Sequence, residues 1–236
     1  MNTVSRALAG LFLTGAALTG SAPAWAAQVS RSAGPKTSQT QETAEPSPAI
    51  QPQDATRVAD WIAASGDNNA LPYAIVDKKA AALLLFDAKG KKLGQVPVLL
   101  GIAPGDDASP GIGSKNLSEI GPAEKTTPAG RFLARFGVAA GNTRVLWVDY
   151  ATSVALHPIP RPGKPKEKRR ERMLSPTSDD NRITFGCINV PIAFYTKTIS
   201  PLFRKKGGYV YVTPDVKPLE EVFPRIRLQS FANTGG

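Results

Sequence analysis

The sequence is poor in the residues that staple or metallate a fold: 236 residues hold one cysteine and one histidine. A single thiol forms no internal disulfide, so the fold must stand on its core alone. One Cys and one His fall short of the four-ligand set of a zinc site, and neither metal nor cofactor is expected. A long apolar run is missing too. The most hydrophobic stretch, 7–18, is interrupted by glycine and is shorter than a bilayer-spanning helix requires. No internal repeat and no second domain boundary are visible.

What is present begins with a targeting pattern. Arg6 precedes the apolar stretch, and Ala24-Trp25-Ala26 fits a small-x-small cleavage site. Residues 1–26 therefore read as a signal peptide, with export to a periplasm or cell envelope and no stable membrane insertion after cleavage. No cysteine stands at the cleavage site to carry a lipid. Residues 27–53, rich in Ser, Thr, Gln, Ala and Pro, bury too little to offset their ordering entropy and read as a disordered tether. One folded domain is expected over 54–231, with a flexible tail at 232–236.

The formal net charge is +10. In a cytoplasmic chain this would suggest nucleic acid. Export removes that partner and leaves an anionic envelope polymer. The segment 161–172 concentrates the charge, with seven basic residues against two acidic ones. It reads either as a solvated polar helix or as a basic rim beside a site.

Periodicity predicts a short helix over 54–64, from Val58, Trp61 and Ile62 at helical spacing. Strands are expected at 73–76, 82–86, 94–101 (demoted to an edge or bulge by Pro97), 132–136, 145–148, 154–156 and 209–213. Helical turns are expected at 166–174 and from Pro191 to Thr198, with Pro191 at the first helical position. The long Gly/Pro/Asp/Ser loop 101–121 is of the kind that is functional or disordered. The fold class is mainly β, a β-rich α+β sandwich or barrel-like domain with short helices.

An unpaired thiol in an exported chain is a flag for reactivity. Cys187 lies in the run Ile183-Thr184-Phe185-Gly186-Cys187-Ile188-Asn189, and His157 ends a predicted strand thirty residues upstream. A neighbouring imidazole can take the thiol proton, so Cys187 is the candidate nucleophile and His157 the candidate general base and acid. Gly186 permits a tight turn in which backbone N–H groups converge, and the N–H groups of Cys187 and Gly186 or Phe185 are candidate oxyanion donors. Thr184 is a candidate for orienting the imidazole or the substrate. Arg182 and Arg161 are candidate carboxylate grips. Asn189 is read as fixing the loop or binding substrate, and Phe185 joins these as a candidate substrate contact.

Three segments together resemble the YkuD-type L,D-transpeptidase catalytic domain. They are Thr127-Pro128-Ala129-Gly130-Arg131-Phe132, similar to that family's T-P-x-G-x-F segment; the strand end Ala155-Leu156-His157; and Thr184-x-Gly186-Cys187, similar to its [S/T]-x-G-C core. They occur in the family's order and span most of 73–214. The resemblance implies a mixed β-sandwich and an exported enzyme of cell-wall biogenesis and cell shape. Its substrates would be peptidoglycan stem peptides, with an acyl-enzyme on cysteine resolved by an amine to give a 3-3 crosslink. Three departures stand out. Phe185 occupies a position where many members have His, Asn189 a position where many have Arg, and the His-to-Cys gap is longer, filled by the basic segment. Two alternatives remain at this point. One is a carboxypeptidase or amidase that hydrolyses the same acyl-enzyme; the other is an envelope-binding module without activity. A papain-like protease fits less well, because there the Cys precedes the His.

Overall fold

The computed structural model describes residues 52–161 and 163–227. The signal peptide, the tether up to residue 51 and the tail at 232–236 lie outside the described residues. The first helix, α1 (Gln53–Ser65), is amphipathic and buries Ala55, Val58, Trp61 and Ile62. It ends where Gly66 takes the left-handed conformation that stops a helix cheaply. Pro52 is already buried. The last two residues assigned to the tether therefore belong to the folded part.

Ten strands follow. These are β1 (Tyr73–Asp77), β2 (Ala82–Phe86), β3 (Lys92–Pro97), β4 (Leu100–Gly101), β5 (Gly130–Val138), β6 (Arg144–Asp149), β7 (Val154–Pro158), β8 (Arg182–Thr184), β9 (Ile188–Val190) and β10 (Gly208–Val212). Eight of them form one mixed sheet in the order β3-β2-β1-β10-β5-β6-β7-β9, while β4 and β8 pair separately. Pro97 closes the edge strand β3, where its missing N–H costs no ladder bond.

One face of nearly the whole sheet shares a single core. Ala74, Val76, Leu83, Leu85, Ala134, Leu146, Leu156, Ile188, Val190, Val210 and Val212 meet there with Tyr195, Ile199 and Phe203. The sheet is thus curled and nearly closed around one interior. Its two ends approach where Leu99 bridges Asn189. The other face of β1, β2 and β10 packs against α1 and α5 (Leu219–Val222) through Trp61, Tyr73, Ile75, Tyr211 and Phe223. Covered on both faces, β1, β2 and β10 are buried at every position, which explains their apolar runs, broken only by Asp77 at the end of β1. The molecule is a sheet-rich α+β fold.

Two helical expectations change. The segment 166–174 is not one helix: a 3₁₀ turn (Pro165–Glu167) and α2 (Arg169–Met173) are separated by Lys168, which adopts positive φ. The helix expected to end at Thr198 instead continues through α3 (Ile192–Phe194), a π turn (Tyr195–Ile199) and α4 (Ser200–Phe203). Pro201 offers no N–H to the preceding turn, and the widened π turn carries the helix past it. Pro191 precedes the first helical residue rather than occupying it. The short β8 and β9, flanking the Gly-Cys turn, were not foreseen.

Candidate active site

Strand alternation places the reactive pair. β7 and β9 run parallel, with Leu156 opposite Ile188 and His157 opposite Asn189. Val154, Leu156, Ile188 and Val190 point into the core. Their alternates Ala155, His157, Cys187 and Asn189 therefore share the outer face. His157, Ala155 and Cys187 line one cleft of about 470 Å³ with Val145, Trp147, Pro158, Ile159, Pro160, Arg161 and Ile192. Trp147 lies flat along β5 because Gly137 has no side chain; a Cβ there would stand 2.7 Å from the indole ring.

The turn that presents Cys187 is tied by two hydroxyls. Thr184 Oγ1 donates to the Cys187 carbonyl (2.6 Å) and accepts from the Gly186 N–H (3.1 Å). Thr127 Oγ1 donates to the Gly186 carbonyl (2.9 Å) and accepts from the Gly101 N–H (2.9 Å). Gly186 has φ +122°, and a Cβ at that position would lie 2.6 Å from the Thr126 carbonyl oxygen. Only glycine fits. These bonds revise two expectations. The Gly186 N–H is engaged by the Thr184 hydroxyl inside the turn, so it does not serve as the oxyanion donor expected of it. Thr184 shapes the turn and makes no bond to His157.

The Cys187 thiol is half-buried, and its sulfur is 3.8 Å from the Ser153 carbonyl, to which the S–H points. Burial pushes the thiol pKa up, opposed by the Ala155 N–H and the positive charge of Arg169. Burial likewise pulls the His157 pKa down. The Pro158 carbonyl opposes this and Arg169 adds to it. The resting pair is therefore a neutral thiol and a neutral imidazole. His157 Nδ1 lies 2.9 Å from the Pro158 carbonyl, and Nε2 lies 3.1 Å from Asn189 Nδ2. The other end of that amide, Asn189 Oδ1, accepts from Arg169 at 2.6 Å, and Arg169 Nε donates to Glu167 at 2.6 Å.

The remaining expected residues separate. Arg161 lies on the cleft and is exposed. Asn189 is fully buried, so it holds His157 rather than touching substrate. Arg182 is turned away: β8 pairs with β4, and the guanidinium donates to Asp215 at 2.6 Å. The carboxylate grip expected of Arg182 is thereby taken by an internal partner. Phe185 is exposed with the Lys125 ammonium 3.9 Å from its ring centre, and it does not line the cleft. Among the described residues no cluster of His, Cys, Asp and Glu is arranged to hold a metal ion.

Sequence reasoning passed over Arg169, one of seven basic residues in its run. It also passed over the hydroxyl of Thr127 and the buried ion cluster behind it. Lys78, with no exposed side-chain surface, donates to Asp106 (2.8 Å) and to the carbonyls of Gly105 (2.5 Å) and Thr127 (3.0 Å). Asp106 also accepts the N–H groups of Asp215, Val216 and Lys217. A larger cavity of about 580 Å³, lined by Trp61, Asp67, Arg131 and Phe223, holds neither the thiol nor the imidazole. Comparison with protein-family models found no match. Comparison with curated proteins found none either.

Proposed function

We propose that the protein is an exported cysteine acyltransferase of the L,D-transpeptidase kind, acting on peptidoglycan stem tetrapeptides. In this reading the curled sheet is a version of that family's β-sandwich. The observation that carries the proposal is the placement of Cys187 and His157 on one face of a parallel strand pair, at one cleft. The ordered motifs around Thr127, His157 and Gly186 add the substrate class.

In the proposed reaction the Cys187 thiol attacks the carbonyl between the third stem residue and the terminal D-alanine. Its proton passes to His157 Nε2, which must first slacken its contact with Asn189. The positive charge of Arg169 and the Ala155 N–H favour the developing thiolate. The tetrahedral intermediate collapses as the imidazolium returns the proton to the leaving amine. D-alanine departs, and an amine of a second stem attacks the thioester; the C–S bond breaks as His157 passes the amine's proton to the Cys187 sulfur, giving the crosslink and the free thiol. With a stem peptide bound across them, the apolar walls formed by Val145, Trp147, Ile159 and Ile192 would leave little room for water, which would favour an amine over hydrolysis. Arg161, exposed on the cleft, would meet a donor carboxylate in this reading.

The test is intact mass of the protein after incubation with tetrapeptide-bearing muropeptides, wild type beside Cys187→Ala, with analysis of the muropeptides. An adduct in wild type alone, with crosslinked product, is the expected result. Loss of D-alanine without crosslinks would make the enzyme a carboxypeptidase. Turnover by Cys187→Ala would reject the mechanism.

A further inference from the structure

The hydrogen-bond chain behind His157 has only one consistent assignment of protons. Arg169 is a guanidinium and carries donors alone. The Asn189 atom 2.6 Å from it must therefore be the acceptor oxygen. That leaves the amide nitrogen, which only donates, facing His157 Nε2 at 3.1 Å. Nε2 must accept, so the single proton of the neutral ring sits on Nδ1. The Pro158 carbonyl, an acceptor only, receives it at 2.9 Å. One donor-only group thus dictates, through an amide, which nitrogen of the imidazole is free to take a proton.

We infer that Arg169 is a positioning residue for His157: through Asn189 it holds the ring as the Nδ1–H tautomer with Nε2 unprotonated. This rests on the proposed reaction only in giving His157 the role of base. The arrangement is built. Asn189 is fully buried, and its backbone is clamped on one side by Leu99 and on the other by the β7 register. α2 is anchored by buried Met173 and by Asn181, whose amide donates to the Val98 and Met173 carbonyls. Glu167 holds the guanidinium from behind.

Without Arg169 the amide can turn over and present its oxygen to Nε2. That orientation favours a proton on Nε2, and with Nδ1 still facing the Pro158 carbonyl it favours the doubly protonated ring. Loss of the guanidinium charge acts in the same direction. The other charged or titratable groups lining the cleft with His157 are Cys187 from the β9 turn and Arg161 from the segment after β7. Neither is altered in the test.

Because the chain holds a single histidine, histidine-selective ¹⁵N labelling of the protein reports His157 alone. In wild type the neutral ring should show the Nδ1–H pattern. In Arg169→Met the His157 titration midpoint should rise by about one pH unit, with Nε2–H signal gained at high pH. Arg169→Lys keeps a donor and a charge, and it should retain the wild-type tautomer. Asn189→Ala keeps the charge of Arg169 but breaks the chain, so it should lose the tautomer preference. An unchanged midpoint and tautomer in Arg169→Met would overturn the inference, as would an Nε2–H ring in wild type. None of these readouts needs a substrate, so failure of the proposed reaction and failure of this inference are separately visible.

Discussion

Two charged clusters flank the Cys187 turn, and they are built on opposite plans. Lys78, Asp106, Asp215 and Arg182 have side chains between 0% and 14% exposed. They join the end of β1, the loop after β4, β8 and the segment after β10. Asp106 is filled by one ammonium and three backbone N–H groups. The Glu167–Arg169–Asn189 chain is partly open to solvent and ends on an imidazole that can gain a proton. Both clusters reach Cys187 within a few bonds. The first, with its acceptors saturated, backs the segment that holds the turn; the second ends on the group that serves as base in the proposed reaction. A cluster whose every acceptor is filled has no second protonation state worth visiting, so shape and chemistry are kept in separate hands.

The largest expected effect comes from breaking the saturated cluster. Lys78→Met removes the cation between two buried carboxylates. It should cost about 3–5 kcal/mol in urea unfolding, because the uncompensated charges remain inside. The Arg169→Met variant, by comparison, should unfold close to wild type. A smaller effect is expected one bond nearer the thiol. Thr127→Val conserves shape but leaves the Gly101 N–H and the Gly186 carbonyl without their shared hydroxyl. A loss of about 1–3 kcal/mol is expected, and under the proposed function acylation of Cys187, measured by mass spectrometry, should be slower.

The smallest effect separates the clusters by pH. Burial lowers the His157 pKa from its ordinary 6.5, so the stability from keeping it neutral is present above pH 6.5 and is lost as pH falls through the folded value. Burial raises the Cys187 pKa from 9.0, so its contribution is present below pH 9 and is lost as pH rises through the folded value. Burial opposes ionisation of Asp106 as well, but the hydrogen bonds from Lys217, Lys78, Asp215 and Val216 outweigh it and hold the carboxyl down to about 2. Its contribution is present above pH 3.8 and is lost only as pH falls toward 2. Urea midpoints of wild type minus His157→Gln should therefore change as pH falls below 6.5, while the Asp106 contribution stays intact down to pH 3.8. A difference curve that is flat below pH 6.5 would remove the distinction.

Much of this architecture could be read from periodicity. The helix over α1, the buried runs of β1, β2 and β10 and the strand delivering His157 follow from patterns of apolar residues. The meeting of Cys187 and His157 at one cleft was readable from one thiol, one imidazole and a Gly-Cys turn. What stayed hidden depends on tertiary direction. Arg182, two residues from Thr184, looked free to grip substrate, because nothing local tells that Asp215 lies across from it. Arg169 could not be told from Lys168 or Arg170 in a run of like charges; only the positive-φ break at Lys168 and the burial of Met173 turn it inward. Thr184 reads in sequence as a hydroxyl for orienting the imidazole or the substrate, because nothing local tells that it closes the Cys187 turn on itself.

The curled sheet comes together where Leu99 and Asn189 exchange both backbone hydrogen bonds at 2.9 Å. That pair is the seam of the enclosure, and Asn189 is also the residue that grips His157. A fluctuation that parts the seam would release the imidazole while the two cores stay packed, a sub-global opening rather than unfolding. In hydrogen-exchange terms, the amides of Leu99 and Asn189 should share one opening free energy, smaller than that of β1 and β10. The rate at which the site dismantles and re-forms would then be the rate at which the sheet breathes at its own edge.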